Sequence, residues 1–363
     1  MSPSGSENPP LTSRVWVVRA WGDLSEETRM VEPPGPEQVR VAMRAASLNF
    51  RDHLMWRGQY DPRVLPYVPL SDGVGVVESV GERVTRWREG DRVMMTFSPD
   101  WIEGPLTLEG ARQTRGGQVD GVLSDHCVVH ESELVRVPKH LSDVEAATLP
   151  CAGVTAWRAL HELGRLHPGD CVLTMGSGGV ASWALTLSKL AGATVVATTS
   201  SAARADALTT LGADHVVNRL DTPAWGRPIR KWAGEGVDVV VDVGGAETLT
   251  QSLEAVRLGG RIALIGVLSG VESTLNVLPI LMKQVRVQGV FVGPRTSLEA
   301  LSECVETHHA RPWVGQVLNL DSVALALSTL SAGEHLGHTC LAWPEASLDH
   351  VDGPPPFSPP GDS

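Results

Sequence analysis

The stretch Cys171-Val172-Leu173-Thr174-Met175-Gly176-Ser177-Gly178-Gly179-Val180-Ala181 constrains this chain more than any other. An apolar run stops at Gly176, a second glycine follows at Gly178, and Ala181 closes a G-x-G-x-x-G/A spacing where a helical segment, residues 182–191, begins. In that spacing the first glycine turns the chain and the second admits close backbone approach. The third small residue lets the helix pack on a sheet. Unpaired N–H groups at the head of such a helix hold the pyrophosphate of a dinucleotide. Glycines also serve ordinary turns, so the flanking sequence has to agree.

The flanks alternate strand and helix signals. Residues 194–199 are rich in β-branched side chains, 215–218 are short and apolar, and 237–243 are nearly all valine. Residues 261–266 and 285–292 are apolar again, while 201–211 and 248–257 have helical character. Strands apolar on both faces, alternating with helices, predict a parallel sheet covered on both sides. The first 140 residues differ: short strands at 15–18, 38–43, 73–80, 91–95 and 126–129 lie between Gly, Pro and charged turns, an all-β pattern that predicts a barrel. Residues 298–308, 314–320, 322–331 and 337–342 read as helix, strand, helix and strand, a tail that returns to complete the first domain.

The expected division is therefore 14–142, 143–293 and a return segment 294–343, with Pro-, Ser- and Gly-rich disordered tails at 1–13 and 345–363. A chain of 363 residues, 42% apolar, can build two cores. The site should lie between the lobes, outside the carboxyl ends of the parallel strands. A net charge of −12 with no basic stripe argues against nucleic acid as a partner. Cys127, Cys151, Cys171, Cys304 and Cys340 have no close pairing and read as free thiols of a reducing compartment. With no membrane-length apolar run and no signal-peptide core, the expectation is a cytoplasmic enzyme with a small-molecule substrate.

Four further motifs precede the glycine loop in order: Ala46-Ser47-Leu48-Asn49-Phe50-Arg51-Asp52, Gly75-Val76-Val77-Glu78-Ser79-Val80-Gly81, Gly90-Asp91-Arg92-Val93 and Ala146-Ala147-Thr148-Leu149-Pro150. Together they resemble the medium-chain dehydrogenases/reductases, in particular the zinc-free quinone-oxidoreductase-like branch. The resemblance implies an α/β chain with a GroES-like β-barrel catalytic domain, a Rossmann doubly wound parallel-sheet domain and a pyridine nucleotide. Zinc alcohol dehydrogenases of this superfamily hold their metal with a Cys, a His-Glu pair and a later Cys. The matching positions here carry Asn49, Ser71-Asp72 and Cys151, too few ligands for zinc. The close cysteines of the structural-zinc lobe are missing too, so no metal is expected. His308, His309, His335 and His338 read as surface or packing residues.

The cofactor expectation is NADP(H). NAD sites usually place an acid about 20 residues beyond the first glycine, whereas this chain reads Ala197-Thr198-Thr199-Ser200-Ser201-Ala202-Ala203-Arg204. Ser200 and Arg204 suit a 2′-phosphate. Similar NADPH reductases carry a Lys in place of Arg204 and a Tyr after the residue matching Asn218, where this chain has Arg219. The bland reading leaves both arginines as solvated charges. The glycine loop assigns Gly176, Ser177, Gly178, Gly179 and Val180 to the pyrophosphate. The resemblance places Thr155, Val243, Gly244, Gly266, Val267, Leu268, Ser269, Val292 and Gly293 near the ribose or nicotinamide.

Without a metal, alcohol oxidation lacks an electrophile, whereas hydride delivery to a conjugated C=C needs only hydrogen-bond donors and a proton. Asn49 is a candidate donor to the substrate carbonyl, with loop stabilisation as its alternative role. Tyr60 is a candidate donor or a packing residue, Asp72 braces the cleft, and Arg51 pairs with Asp52. Phe97 and Trp101 are candidate pocket walls, with loops 57–69 and 97–117 shaping the pocket. The expected activity is NADPH-dependent, zinc-independent reduction of an enone, quinone or enoyl thioester. Asn49-Phe50-Arg51-Asp52 also resembles the enoyl-reductase domains of polyketide synthases. The alternatives are a zinc-free alcohol/carbonyl oxidoreductase and a non-catalytic NADPH-binding protein. The apolar edge at 285–292 points to a homodimer.

Overall fold

One long strand organises the N-terminal half. In the computed structural model, which describes residues 11–61, 64–330 and 336–348, the strands are β1 (Leu11–Val17), β2 (Ser25–Val31), β3 (Gln38–Leu48), β4 (Asp72–Val80), β5 (Arg92–Met95), β6 (His126–His130) and β7 (Leu134–Arg136). The second half adds β8 (Cys171–Met175), β9 (Thr194–Thr199), β10 (His215–Asn218), β11 (Val237–Asp242), β12 (Val256–Leu264), β13 (Arg286–Gly289), β14 (Val314–Asn319) and β15 (His338–Ala342). On one edge β3 carries β4; its other edge is shared, with β6 on Gln38–Ala42 and β15 on Ala45–Leu48. The half-edge left open by β6 is thus filled by a strand from the far end of the chain. Through β15 and its parallel partner β14 the sheet runs β14-β15-β3-β4-β5-β7, so the tail does return to the first sheet.

β1 and β2 form a separate hairpin, and β1 already includes Leu11, Thr12 and Ser13, which by composition belong to a disordered tail. The reason is burial: Ser13 is enclosed and its hydroxyl accepts the N–H of His126 at 3.1 Å. At the other end the tail expected from residue 345 is also held, because the Ser347 N–H donates to Asp143 at 2.9 Å. The remainder of both expected tails, 1–10 and 349–363, lies outside the described residues, as does His335.

Six parallel strands in the order β10-β9-β8-β11-β12-β13 make the second sheet. Connections run away from β8 in both directions, so the crevice for a ligand opens where β8 and β11 part, at their carboxyl ends. The central strands are apolar on both faces and fully enclosed, as at Val172, Leu173, Val195, Val196, Val239 and Val240. Several boundaries differ from those the sequence predicts: β12 starts at Val256, inside the stretch expected as helix 248–257, because its early residues already pair with β11. The helix after β8 spans Gly179–Leu190, starting three residues early, because the extended Gly178 already serves as its cap. The edge strand β13 is shorter than 285–292, since Val292 turns to φ +34° and Pro294 follows. No helix among the described residues is long and apolar enough to cross a membrane.

One apolar cluster spans both halves, joining Ala45, Val74 and Met94 of the first sheet to Val172, Val239 and Val241 of the second. Trp183 sits in this cluster, 1% exposed, and its indole N–H donates to Thr148 Oγ1 at 3.0 Å. Trp183→Ala should therefore lower unfolding stability by about 3–5 kcal/mol, since it opens a cavity and removes a buried hydrogen bond to Thr148, whose hydroxyl still donates to Glu145 O at 2.7 Å. The midpoint of denaturant unfolding measures this; a loss under about 1 kcal/mol would contradict the packing role.

Candidate functional site

The glycine loop leaves the end of β8 at Gly176, whose φ of +80° and N–H bond to Thr198 O at 2.8 Å define the turn. Gly178 caps the following helix without a side chain, so the first-turn N–H groups have neither an intrahelical partner nor a side-chain acceptor. That is the donor set a pyrophosphate needs, and Gly176, Ser177, Gly178, Gly179 and Val180 together fit a dinucleotide. The back of the loop is sealed by the returning segment: Gly337 N–H donates to Ser177 O at 2.7 Å, and Gly178 bridges Gly337. A Cβ on Gly179 would stand 2.6 Å from the His338 ring, so only glycine admits that approach. His338 is buried, with Nδ1 3.4 Å from Ser47 Oγ on β3. From sequence His338 is no more than a surface or packing residue; no local signal reveals its place between glycine loop and catalytic sheet, because the contact joins residues almost 160 positions apart.

The loops after β11 and β12 form one unit. Asp242, at the end of β11 and fully enclosed, accepts the N–H groups of Gly244 and Gly245 and the hydroxyls of Thr248 and Ser252, both at 2.6 Å. Sequence reasoning misses Asp242, because it closes a valine run and reads as a strand end. Ser269 donates its hydroxyl to Gly244 O at 2.9 Å, tying Val243–Gly245 to Gly266, Val267 and Ser269. Val267 is half exposed at this rim. Thr155 hydrogen-bonds Cys151 O at 2.6 Å, and Val292 O accepts from Arg158 just before Gly293.

Around the end of β9, Arg219 N–H donates to Thr199 O at 2.8 Å, which brings Arg219 beside the turn that holds Ser200 and leads to Arg204. Neither Arg204 nor Arg219 enters an ion pair among the described residues. The Asn218 side chain is not brought into this group: its amide donates to Asp221 at 2.6 Å and its oxygen accepts from Leu220 N–H.

On the other side of the cleft, Asn49 precedes the helix Phe50–Trp56, and its N–H donates to the Asp52 carboxylate at 2.8 Å. Asp52 also pairs with Arg51 at 3.1 Å, the pairing expected from sequence. Arg51 in turn reaches Arg115 O at 2.9 Å and lies over Phe97 and Tyr60, 4.9 and 5.7 Å from the ring centroids. Tyr60 is 47% exposed, at the mouth of the region. Phe97 and Trp101, expected as pocket walls, are instead each 2% exposed. Both pack on Phe291, so they act as a joint between the two halves.

Asp72 begins β4, opposite Ser47 in register, and is fully enclosed. Its two oxygens accept from Ser71 Oγ at 2.7 Å and from the Cys151 N–H at 3.0 Å. Burial pushes its carboxyl up to about 7; the nearby Asp52 adds to the rise, while Ser71, the Asn49 amide and the Cys151 N–H oppose it. Burial and Asp72 push the Cys151 thiol well above the usual range. The Asn49 Nδ2 is buried and lies close enough to act on Asp72, yet makes no hydrogen bond of good geometry. A tetrahedral zinc needs about three Cys, His or carboxylate ligands. Here both Asp72 oxygens already hold donors, Asn49 and Ser71 supply only an amide and a hydroxyl beside the one thiol of Cys151, and no cluster of three such side chains suited to a metal occurs among the described residues. The residues do not fit a zinc site.

The folded protein holds the Asp72 proton more tightly than the unfolded chain, so this group's contribution falls as pH rises from about 4 to about 7. A rise of that size corresponds to at most about 4 kcal/mol. Asp72→Asn keeps an acceptor for Cys151 and removes the titration. Thermal melts of both proteins across this range should show the variant gaining on the parent as pH rises. A constant difference would contradict the assignment.

Residues 35–139 match the family described as alcohol dehydrogenase GroES-like domain, and residues 179–307 match zinc-binding dehydrogenase. A zinc-type alcohol dehydrogenase-like protein of Schizosaccharomyces pombe is 36% identical over 87% of this chain and 94% of its own. A solved NAD-dependent alcohol dehydrogenase is 34% identical with TM-score 0.83, covering 91% of this chain and 99% of that one. The 2-octenoyl-CoA carboxylase reductase CinF, solved with NADP and 2-octenoyl-CoA, is 25% identical with TM-score 0.83, covering 96% and 91%. With a GroES-like sheet, a nucleotide-binding parallel sheet and a glycine loop fitted to a dinucleotide, the chain belongs to the medium-chain dehydrogenase/reductase superfamily of nicotinamide-dependent oxidoreductases.

Proposed function

We propose that this oxidoreductase uses NADPH, without zinc, to reduce a C=C bond conjugated to a carbonyl, as in an enone, quinone or enoyl thioester. The observation that carries the reading is the buried Asn49 amide, a donor lacking a well-formed hydrogen bond, beside an Asp72 whose oxygens are already occupied. When bound, the reduced nicotinamide supplies a hydride. The Asn49 side-chain amide N–H donates to the substrate carbonyl oxygen as negative charge builds there, and a fixed donor in a site shielded from water is worth far more than one in water. Asp72, through Ser71 and Cys151, holds that corner in place. Tyr60 is the second donor of this reading. CinF, whose structure contains an enoyl-CoA and NADP, lends support at the level of reaction type. A second reading, carbonyl or alcohol interconversion, draws on the Asp72 carboxyl near 7, a group able to exchange a proton at neutral pH.

Panels of enones, quinones, enoyl thioesters and simple ketones, assayed by NADPH consumption, separate these readings. The proposal requires turnover of conjugated substrates and a kcat loss of about 10²-fold in Asn49→Ala. Turnover of simple ketones alone favours the second reading, and nucleotide binding without turnover leaves a binding protein.

The 2′-phosphate assignment rests on Arg204 and Arg219, with no acid at the end of β9. Replacing both by Ala should lower kcat/KM for NADPH about 10–100-fold and leave that for NADH nearly unchanged. An equal loss with both cofactors would contradict it.

A homodimer is part of the proposal. The edge of β13 leaves Arg286, Gln288 and Gly289 exposed, and Val271, Leu278, Leu281 and Met282 nearby in sequence are each more than half exposed. An unpaired edge beside apolar side chains is a surface that a second copy would cover. Light scattering should return twice the chain mass; the mass of one chain would refute it.

A further inference from the structure

Residues 291–293 follow the carboxyl end of β13, where the two halves of the molecule meet. Val292 is buried and sits at φ +34°, a backbone region that a β-branched residue occupies only when its surroundings hold it there. Arg158 lies under this turn. Its Nη1 donates to the carbonyls of Phe291 and Val292 at 3.4 and 3.3 Å, and its Nε donates to Glu162 at 2.9 Å. Glu162 also accepts the Ser297 hydroxyl, which fixes the carboxylate that orients the guanidinium. A Cβ on Gly293 would stand 2.7 Å from Arg158 Cδ, so the arginine stem fills the floor of the turn. The same guanidinium lies 5.0 Å from the centre of the Trp101 ring, which belongs to the catalytic half.

Arg158 stands on the helical segment 149–162, whose stretches Leu149–Gly153 and Arg158–Glu162 are π-helical, a wide form met mostly at functional sites. Successive turns of this segment make three attachments. The Cys151 N–H donates to Asp72, Thr155 donates to Cys151 O, and Arg158 holds the carbonyls of Phe291 and Val292. One element thus joins the enclosed corner of Asn49 and Asp72 to the turn at Val292. With the pyrophosphate at β8 and the 2′-phosphate beside β9 and β10, the nicotinamide half is left to run the other way. It crosses the ends of β11 and β12 towards β13, which lies three strand spacings, roughly 14 Å, from β8. We propose that Arg158 is a positioning residue for hydride transfer, holding the Val292 turn so that the nicotinamide end of the crevice keeps a fixed distance from Asn49. This inference rests on the nicotinamide reading of the crevice and not on the identity of the substrate.

The test needs no substrate. Time-resolved anisotropy of NADPH fluorescence reports local motion of the bound ring in the full chain, and titration of the same signal gives Kd. In the parent the ring should turn only with the whole protein. In Arg158→Gln a faster, nanosecond component should appear. Kd should rise less than about threefold, because the phosphate contacts are untouched. Arg158→Lys keeps the charge and a donor for Glu162, but lacks the fork that holds the carboxylate and the carbonyls together. It should show the same fast component, and it decides the matter if Arg158→Gln does not fold. The fast component already present in the parent, or absent from both variants, overturns the proposal. So does a joint loss of affinity and of melting midpoint, the mark of a merely structural residue. A parent that does not bind NADPH refutes the cofactor preference instead, and the same comparison is then made with NADH.

Discussion

The catalytic side of this molecule depends on a carboxyl group fully enclosed by protein. Asp72 lies at the start of β4, fully enclosed, and its two oxygens join the Ser71 hydroxyl to the Cys151 N–H. That bond links the first sheet to the helical segment that continues through Thr155, at the entry to the nucleotide half. Enclosure costs the ionised form its hydration, which drives its carboxyl towards neutrality. The same enclosure leaves Asn49 with a donor beside it. A polar corner with its acceptors already occupied offers little to a cation, but an amide N–H remains for an oxygen that is gaining charge.

The two halves are locked by contacts that cross long stretches of chain. β15 completes the edge of β3, Gly337 seals the glycine loop at Ser177, and the His338 ring fills the space a Gly179 side chain would take. The Phe97, Trp101 and Phe291 rings form a further joint. The position of Asn49 relative to the loops after β11 and β12 is thus set by packing rather than by flexible linkers.

The parallel sheet is legible in the sequence because its strands are apolar on both faces and its first turn carries glycines at fixed spacing, both local properties. The Arg51–Asp52 pair is legible from adjacency. Asp242 is not, because a carboxylate ending a valine run gives no sign of the four donors it gathers. Neither is His338, whose partners Ser47 and Gly179 meet it only after the tail has returned. Phe97 and Trp101 read as pocket walls because aromatics in a loop near a cleft look alike whether they face a ligand or pack on another ring, here Phe291. Leu11–Ser13 look like tail because their polar composition hides an antiparallel partner in β2.

Relatives of this chain include a zinc-type alcohol dehydrogenase-like protein, so the account stands or falls on what occupies the corner formed by Asn49, Asp72 and Cys151. The most direct measurement is metal content by mass spectrometry, on protein expressed with added zinc, paired with NADPH-dependent turnover before and after chelation. The account predicts far less than one zinc per chain and turnover that chelation leaves unchanged. One zinc per chain, with activity lost on its removal and restored on its return, would contradict it.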